Sequence, residues 1–233
     1  MGVDRLIFDL RKHYAVRSHI SHFKGKTLGV DISCLLHRAL STKSARDDYC
    51  SFPSRPVKDV VVDIQELCEL AKTHDVKLIF VFDGKRHPLK QGEDQRRYTS
   101  HEEGLAEFKT LMKQKPPPDL RTVDKAKKKV STVVRPHIIA DVLTFLGGQD
   151  HVQVMSAPFE ADWQLVRMEV IDGITHGTVT WDVDIHALGS ANMVERLCYK
   201  SANANFGICN IINADRTSHF YKTGDTQWTG VSS

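Results

Sequence analysis

Residues 77–84 read KLIFVFDG and form the strongest strand pattern in the chain. Five consecutive apolar side chains are typical of a strand that is buried on both faces of a parallel sheet. The stretch KTLGVDIS at 26–33 has the same character, and the two stretches lead into Asp83 and Asp31 respectively. Helical patterns follow each of them. This alternation predicts an α/β fold with a mainly parallel central sheet flanked by helices.

Strand and helix patterns alternate along the rest of the chain as well. We predict further strands at 151–157 and 177–188, and a loop at 41–56. Residues 85–130 are interrupted by the prolines at 116–118, which divide this stretch into two helical pieces. The other predicted helices lie at 1–24, 34–40, 57–72, 137–148 and 158–170.

Composition excludes several classes of protein. The 233 residues are 41% hydrophobic and 26% charged, which suits one sizeable core, alone or with an appendage. No apolar run approaches ~18 residues, and Asp4, Arg5 and Asp9 interrupt the N-terminus, so we expect neither a membrane span nor a signal peptide. The five cysteines are scattered without a CxxC pair, which argues against a disulfide scaffold and a cysteine zinc site and fits a reducing compartment.

Positive charge is concentrated in one segment. Residues 85–129 contain 13 basic and 7 acidic residues, a net charge of +6, whereas the rest of the chain carries −3. This distribution suggests a polyanionic partner bound next to a more acidic body. The alternative is a solvated helical face whose lysines serve solubility.

Six acidic residues stand at strand ends or helix starts in four separate segments. Because the carboxyl ends of parallel strands share one edge of a sheet, these side chains could converge there. Six carboxylates require cations for neutralisation, and an oxygen-only donor set favours Mg²⁺ or Mn²⁺ and two-metal phosphoryl chemistry. Taken singly, each acid is more often a cap or a turn residue. The six are Asp31, Asp83, Glu160, Asp162, Asp182 and Asp184, of which the last two are expected on one face of a strand.

Other catalytic motifs are absent from the sequence. There is no GxSxG elbow for hydrolase chemistry and no glycine-rich phosphate loop. The histidines show no metal-binding spacing. We expect Phe159, Trp163 and Leu165 to be core residues rather than platforms for base stacking.

Five segments of the sequence together carry a resemblance to known proteins. They are MGV at the start, KGKTLGVDISCLLHRA, LIFVFDGKRHPLK, SAPFEADWQL and TWDVDIHALGS. On these segments the sequence resembles the flap-endonuclease family of structure-specific 5′ nucleases, which includes the mismatch-repair 5′ exonucleases and the xeroderma pigmentosum group G nucleases. The residues CLLHRA and APFEAD are most similar to the exonuclease branch. The resemblance implies a PIN-like 5′-nuclease core with a basic helical arch, divided into a nuclease region at 1–97, an arch at 98–135, a second nuclease region at 136–206 and an atypical tail at 207–233.

The resemblance also implies roles for individual residues. The six acids match the ligands of two Mg²⁺ ions, for which Mn²⁺ can substitute, and Lys90 and Arg97 match the catalytic pair that contacts the scissile phosphate. The implied partner is DNA with a 5′ flap or 5′ end, with RNA as an option, and the implied protein is a nuclear monomer active in DNA repair or replication. Residues expected to contact DNA are Gly2, Lys85, Arg96, Lys125, Lys127, Lys128 and Lys129.

The sequence departs from the family pattern after Leu197. It contains no equivalent of the LGSDY-like segment that supplies a seventh acid, and no helix–two-turn–helix for duplex DNA. Trp181 occupies a position where the family usually has an acid. These departures leave two alternatives to a 5′ nuclease: a catalytically impaired nucleic-acid-binding protein of the same fold, and a PIN-like RNase.

Overall fold

A computed structural model describes residues 6–51, 58–85, 90–116, 118–131, 133–200, 203 and 206–213. Seven strands and nine α-helices alternate along these residues. The strands are β1 (Ala15–His19), β2 (Thr27–Asp31), β3 (Lys77–Phe82), β4 (Val152–Ser156), β5 (Thr178–Val179), β6 (Asn192–Glu195) and β7 (Ile208–Asn213). The helices are α1 (Leu6–Tyr14), α2 (Ile32–Leu40), α3 (Lys43–Ser51), α4 (Lys58–Thr73), α5 (Gln91–Leu111), α6 (Leu120–Val130), α7 (Pro136–Leu146), α8 (Ala161–Val166) and α9 (Asp184–Ala187).

All seven strands belong to one mixed sheet, in the order β1-β7-β6-β5-β2-β3-β4. The five strands from β6 to β4 in this order are parallel, whereas β7 runs antiparallel to both β6 and β1. The predicted α/β fold with a mainly parallel sheet is therefore confirmed.

The chain divides into two compact units. The sheet unit comprises residues 1–34, 66–85 and 150–233, and the helical unit comprises 35–65 and 86–149. All strands fall in the sheet unit, while α3, α5, α6 and α7 fall in the helical unit.

Strand β3 is an interior strand of the sheet and contributes to the core on both of its faces. Leu78 and Phe80 are fully buried on one side of the strand, and Ile79 and Val81 are buried on the other. Ile79 and Val81 belong to an apolar cluster that also contains Leu165 of α8. The uninterrupted apolar run was thus a sound indication of burial on both faces.

The helical unit is built around α5 and α6, which pack closely together. Gly104 makes this approach possible, because a Cβ at this position would lie 2.5 Å from the Cβ of Lys129. At the same contact the His101 ring nitrogen Nδ1 lies 2.7 Å from the carbonyl oxygen of Val130. The division of this segment into two helices on either side of the prolines is confirmed.

Four of the predicted segments differ from the structure in type or in length. Residues 43–51 form α3 instead of a loop, because Ala45 and Tyr49 supply a fully buried pair at helical spacing within a polar stretch. The first helix ends at Tyr14 and is followed by β1, which pairs with β7 far along the chain. Helix α8 begins at residue 161 instead of 158, and β5 covers only two residues of the strand predicted at 177–188.

None of the helices that the structure describes is both long and apolar enough to cross a membrane.

Candidate active site

Four loops meet at the carboxyl edge of the parallel sheet, and each carries at least one of the six acids. Asp31 is the last residue of β2, Asp83 follows β3, Glu160 lies in the loop after β4, and Asp182 lies in the loop after β5. The four strands are consecutive neighbours in the order β5-β2-β3-β4. The sheet thus brings the loops to one edge, as the sequence predicted.

Asp31 forms the buried floor of this site. Its side chain is 5% exposed and accepts hydrogen bonds from the backbone N–H of Cys34 at 3.1 Å and from the Thr180 hydroxyl at 3.0 Å. The pKa of Asp31 is raised to about 6, mainly by burial and to a smaller extent by the charges of Asp83 and Asp182, although the two hydrogen bonds lower it. The ionised carboxylate is therefore costly in this position unless a cation is present.

Asp83 joins the end of β3 to the start of α8. Its carboxylate accepts a hydrogen bond of 2.6 Å from the Ser33 hydroxyl and one of 2.8 Å from the backbone N–H of Ala161. The neighbouring Gly84 allows the two loops to approach, since a Cβ there would lie 1.8 Å from the carbonyl oxygen of Ala157. Asp83 itself is exposed, so it stands at the rim of the site.

Asp182 and Asp184 do not share a strand face, contrary to the prediction. The chain turns after β5, and Asp184 is the first residue of α9. The backbone N–H of Asp184 donates to the Asp182 carboxylate at 3.0 Å, and the N–H of Asp182 donates to the Thr180 hydroxyl at 3.1 Å. Thr180 thus links Asp182 to Asp31 through a single side-chain oxygen.

Glu160 and Asp162 stand at the start of α8. Glu160 is the N-cap, with an extended backbone (φ −89°, ψ 143°), and Asp162 lies in the first helical turn. An ideal helix would separate the two side chains by about 200°. The extended cap releases Glu160 from that constraint, and both side chains are half-buried.

The donor set fits a divalent cation in kind but is not arranged as a coordination sphere. The hydrogen bonds to Asp31 and Asp83 leave lone pairs on carboxylate oxygens, and oxygen donors are those that Mg²⁺ prefers. Among the residues that the structure describes, however, no three histidine, cysteine, aspartate or glutamate side chains form a group that could hold a metal ion. Assignment of the six acids as metal ligands stays a prediction.

Lys90 and Arg97 lie in the helical unit, on α5. Lys90 is the N-cap of this helix and Arg97 follows seven residues later, which places the two on nearly the same helical face. Both side chains are exposed, as is that of Arg96. In the sheet unit, Lys85 is exposed directly after Gly84. Gly2 lies outside the described residues.

The lysines of α6 differ in their surroundings. Lys127 is only 17% exposed, because it pairs with Asp47 at 2.8 Å and lies 5.6 Å from the centre of the Phe108 ring. Lys128 pairs with Asp124 and Lys129 with Glu107, whereas Lys125 is exposed. Lys127 therefore contributes to the packing of the helical unit, and its predicted contact with DNA stays a prediction.

Sequence reasoning missed the polar residues that hold the acids. Ser33 and Thr180 each lie two residues from a predicted ligand in the sequence, but Ser33 stands in the first turn of α2 and donates to Asp83, while Thr180 follows β5 and donates to Asp31. The prediction that Phe159 and Trp163 are core residues was wrong. Leu165 is fully buried as predicted, but Phe159 is 47% exposed and Trp163 is 62% exposed.

Sequence comparison shows which known proteins this chain is similar to. The XPG N-terminal domain matches residues 1–104. This match covers a little under half of the 233 residues and shows what that part of the chain is similar to. It is similar to flap endonuclease 1 of Drosophila yakuba, with 28% identity over 87% of this chain and 51% of the relative. It is equally similar to exodeoxyribonuclease 1 of Schizosaccharomyces pombe, with 28% identity over 84% of this chain and 33% of the relative.

Two solved structures share the fold of this chain. The catalytic core of Rad2 in complex with a DNA substrate superposes with a TM-score of 0.60 at 16% identity, over 94% of this chain and 57% of that one. The Holliday junction-resolving enzyme GEN1, in complex with product DNA, Mg²⁺ and Mn²⁺, superposes with a TM-score of 0.56 at 12% identity, over 94% and 42%. The chain spans about half the length of the flap endonuclease that it matches.

Proposed function

We propose that this chain is a metal-dependent, structure-specific 5′ nuclease that hydrolyses phosphodiester bonds of DNA carrying a 5′ flap or a 5′ end. The observation that carries the proposal is the hydrogen-bonded network at the carboxyl edge of the sheet, which links the loops after β2, β3, β4 and β5 through Asp31 and Asp83. Four loops tied together around a buried carboxylate are a costly arrangement. A bound cation would offset this cost, which supports a site for a divalent metal ion and a phosphate substrate.

Mg²⁺, or Mn²⁺ in its place, would be held by Asp31, Asp83, Asp182 and the three half-buried acids around them. When bound, such ions activate water and stabilise the charge that develops on the phosphate. The residues of the chain orient these acids: Thr180 and Cys34 fix Asp31, while Ser33 and the N–H of Ala161 fix Asp83. Family resemblance assigns Lys90 and Arg97 to the scissile phosphate, where a cation stabilises the transition state.

A binding protein without catalysis is the second candidate. Two observations favour it: the described residues contain no ready-made metal-binding group, and the given sequence has no LGSDY-like segment after Leu197. In this case the basic residues of α5 and α6 would bind the DNA backbone with an affinity that falls as salt rises. The third candidate, a PIN-like RNase, differs in its substrate alone.

The decisive experiment is cleavage of 5′-labelled flap and blunt duplexes in Mg²⁺, Mn²⁺ and EDTA. We expect product that requires metal and that falls by more than about 100-fold in the variants Asp83→Asn and Asp182→Asn, because each removes a negative charge from the proposed cation site. Product length separates endonucleolytic from exonucleolytic action. An RNA flap of the same sequence separates the DNA nuclease from the RNase.

The matched control is Asp172→Asn in the same unit, which neutralises a carboxylate that pairs with Arg167 outside the site. It should cleave at the wild-type rate. Salt-sensitive binding without metal-dependent product would establish the binding protein instead. Family resemblance to eukaryotic relatives supports a nuclear monomer, and fractionation with size-exclusion chromatography tests both parts of that assignment.

A further inference from the structure

Two exposed aromatic residues flank the acids at the start of α8. Phe159 directly precedes Glu160, and Trp163 directly follows Asp162. Their side chains are 47% and 62% exposed. Tryptophan is highly buried on average, so two exposed aromatic side chains beside charged residues make this segment a candidate ligand-binding surface.

Backbone hydrogen bonds hold this aromatic segment against the end of β3. The N–H of Gly84 donates to the carbonyl oxygen of Phe159 at 2.6 Å, and the N–H of Lys85 donates to that of Pro158 at 3.1 Å. The exposed cationic side chain of Lys85 therefore stands beside the aromatic segment. Two aromatic side chains, a cation and carboxylates therefore belong to segments of the sheet unit that are hydrogen-bonded to each other.

We infer that Trp163, together with Phe159, forms a stacking surface for unpaired nucleobases of the substrate, with Lys85 contacting the adjoining phosphate. The inference rests on the proposed function, since it names how the same site receives single-stranded nucleic acid. Aromatic side chains bind bases of any sequence because every base has a π-face. A cation next to the stacked base completes the combination that sequence-independent single-strand binding requires.

A docked protein segment is the competing occupant. The exposed aliphatic residues Val170, Ile171 and Ile174 lie farther along the same segment, and an apolar protein ligand would use them together with Trp163. A nucleobase would use the aromatic faces and leave the aliphatic residues uncovered. The two occupants thus predict different effects of the variants Trp163→Ala and Ile171→Ala.

The experiment compares the affinity of the full chain for two flap duplexes in EDTA, measured by fluorescence anisotropy. One duplex has an oligothymidine flap, and the other has the same number of abasic residues and the same phosphates. We expect the wild type to bind the thymidine flap roughly tenfold more tightly. Trp163→Ala should bind both flaps equally, Trp163→Phe should retain most of the difference, and Ile171→Ala should retain all of it.

Equal affinity of the wild type for the two flaps would overturn the inference, as would discrimination that survives in Trp163→Ala or binding to neither flap. Loss of discrimination in Ile171→Ala would overturn it in favour of an extended apolar surface. Thermal unfolding verifies that Trp163→Ala stays folded. Cleavage is a separate readout: base discrimination without metal-dependent product contradicts the proposed function alone, and product without base discrimination contradicts the stacking surface alone.

Discussion

Glu169 is a buried carboxylate that lies outside the candidate active site. It is 8% exposed and accepts hydrogen bonds from the Ser190 hydroxyl at 2.6 Å and from the backbone N–H of Asn192 at 2.7 Å. Burial raises its pKa, and these bonds offset only part of that effect. Glu169 lies in the short helical segment Arg167–Ile171 that follows α8, and its hydrogen bonds connect this segment to the start of β6. Ionisation of the buried carboxylate costs free energy.

The variant Glu169→Gln should alter how stability depends on pH. Because the pKa is higher in the folded protein, the contribution of Glu169 is fully favourable below the unfolded pKa of about 4.5 and is lost as pH rises through the folded value. The glutamine variant cannot ionise, so its free energy of unfolding should improve relative to the wild type as pH rises from about 4.5 to 7.5. Urea unfolding of both proteins across this range measures the difference, and parallel pH profiles would contradict the prediction.

The limits of sequence reasoning at the scale of residues have a physical cause. The positions of Asp31 and Asp83 at strand ends could be predicted because the end of a strand is visible as the end of an apolar run. The exposure of Trp163 could not be predicted, because the spacing of apolar residues does not tell which face of a short helix packs against another element. The hydrogen bonds from the Ser33 and Thr180 hydroxyls to the acids were not predicted, because serine and threonine are common in turns and carry no specific signal there.

At the scale of elements, the contact between α5 and α6 depends on a glycine. A methyl group at Gly104 would meet the backbone and Cβ of Lys129 and the backbone nitrogen of Val130, none of which can rotate away. Gly104→Ala should therefore lower the free energy of unfolding by about 1–3 kcal/mol. Chemical denaturation of the full chain measures the loss.

Gly92 in the same helix provides the matched control. A Cβ at this position meets nothing within 4 Å. Gly92→Ala should stabilise the protein by up to about 1 kcal/mol through helix propensity alone. If both variants were stabilised, the helices would not be in close contact at Gly104.

Elements differed in how well sequence could predict them. Strands β2 and β3 were predicted within a residue or two, because central parallel strands must be apolar on both faces. Strand β1 was not, since its residues alternate without a strong apolar run and its pairing with β7 depends on a segment almost two hundred residues away. Helix α3 was missed because its buried face is only a few residues wide.

At the scale of the whole molecule, one ion pair connects the first helix to the sheet. Arg11 Nε lies 2.8 and 2.7 Å from the two carboxylate oxygens of Glu195, whose side chain is fully buried, and Asn210 donates a further bond at 3.3 Å. Removal of one partner leaves a buried charge without compensation. Arg11→Met should therefore lower the free energy of unfolding by about 3–5 kcal/mol, measured as a shift of the urea midpoint.

A double variant tests the cause of that loss. Arg11→Met combined with Glu195→Gln has no buried charge to compensate, so it should recover a substantial part of the lost stability. A double variant no more stable than Arg11→Met alone would mean that the arginine acts through packing of its side chain instead.

The pairing of β1 with β7 has a consequence for biosynthesis. Ala15 lies opposite Ile212 and His19 opposite Ile208. Strand β1 is synthesised first, but it cannot pair with β7 until β7 has left the ribosome. Such distant partners make closure of the sheet slow relative to formation of local helices. During translation the lone edge of β1 is open to other chains, and a nascent chain stalled before residue 208 would be a client for chaperones that cover unpaired strands.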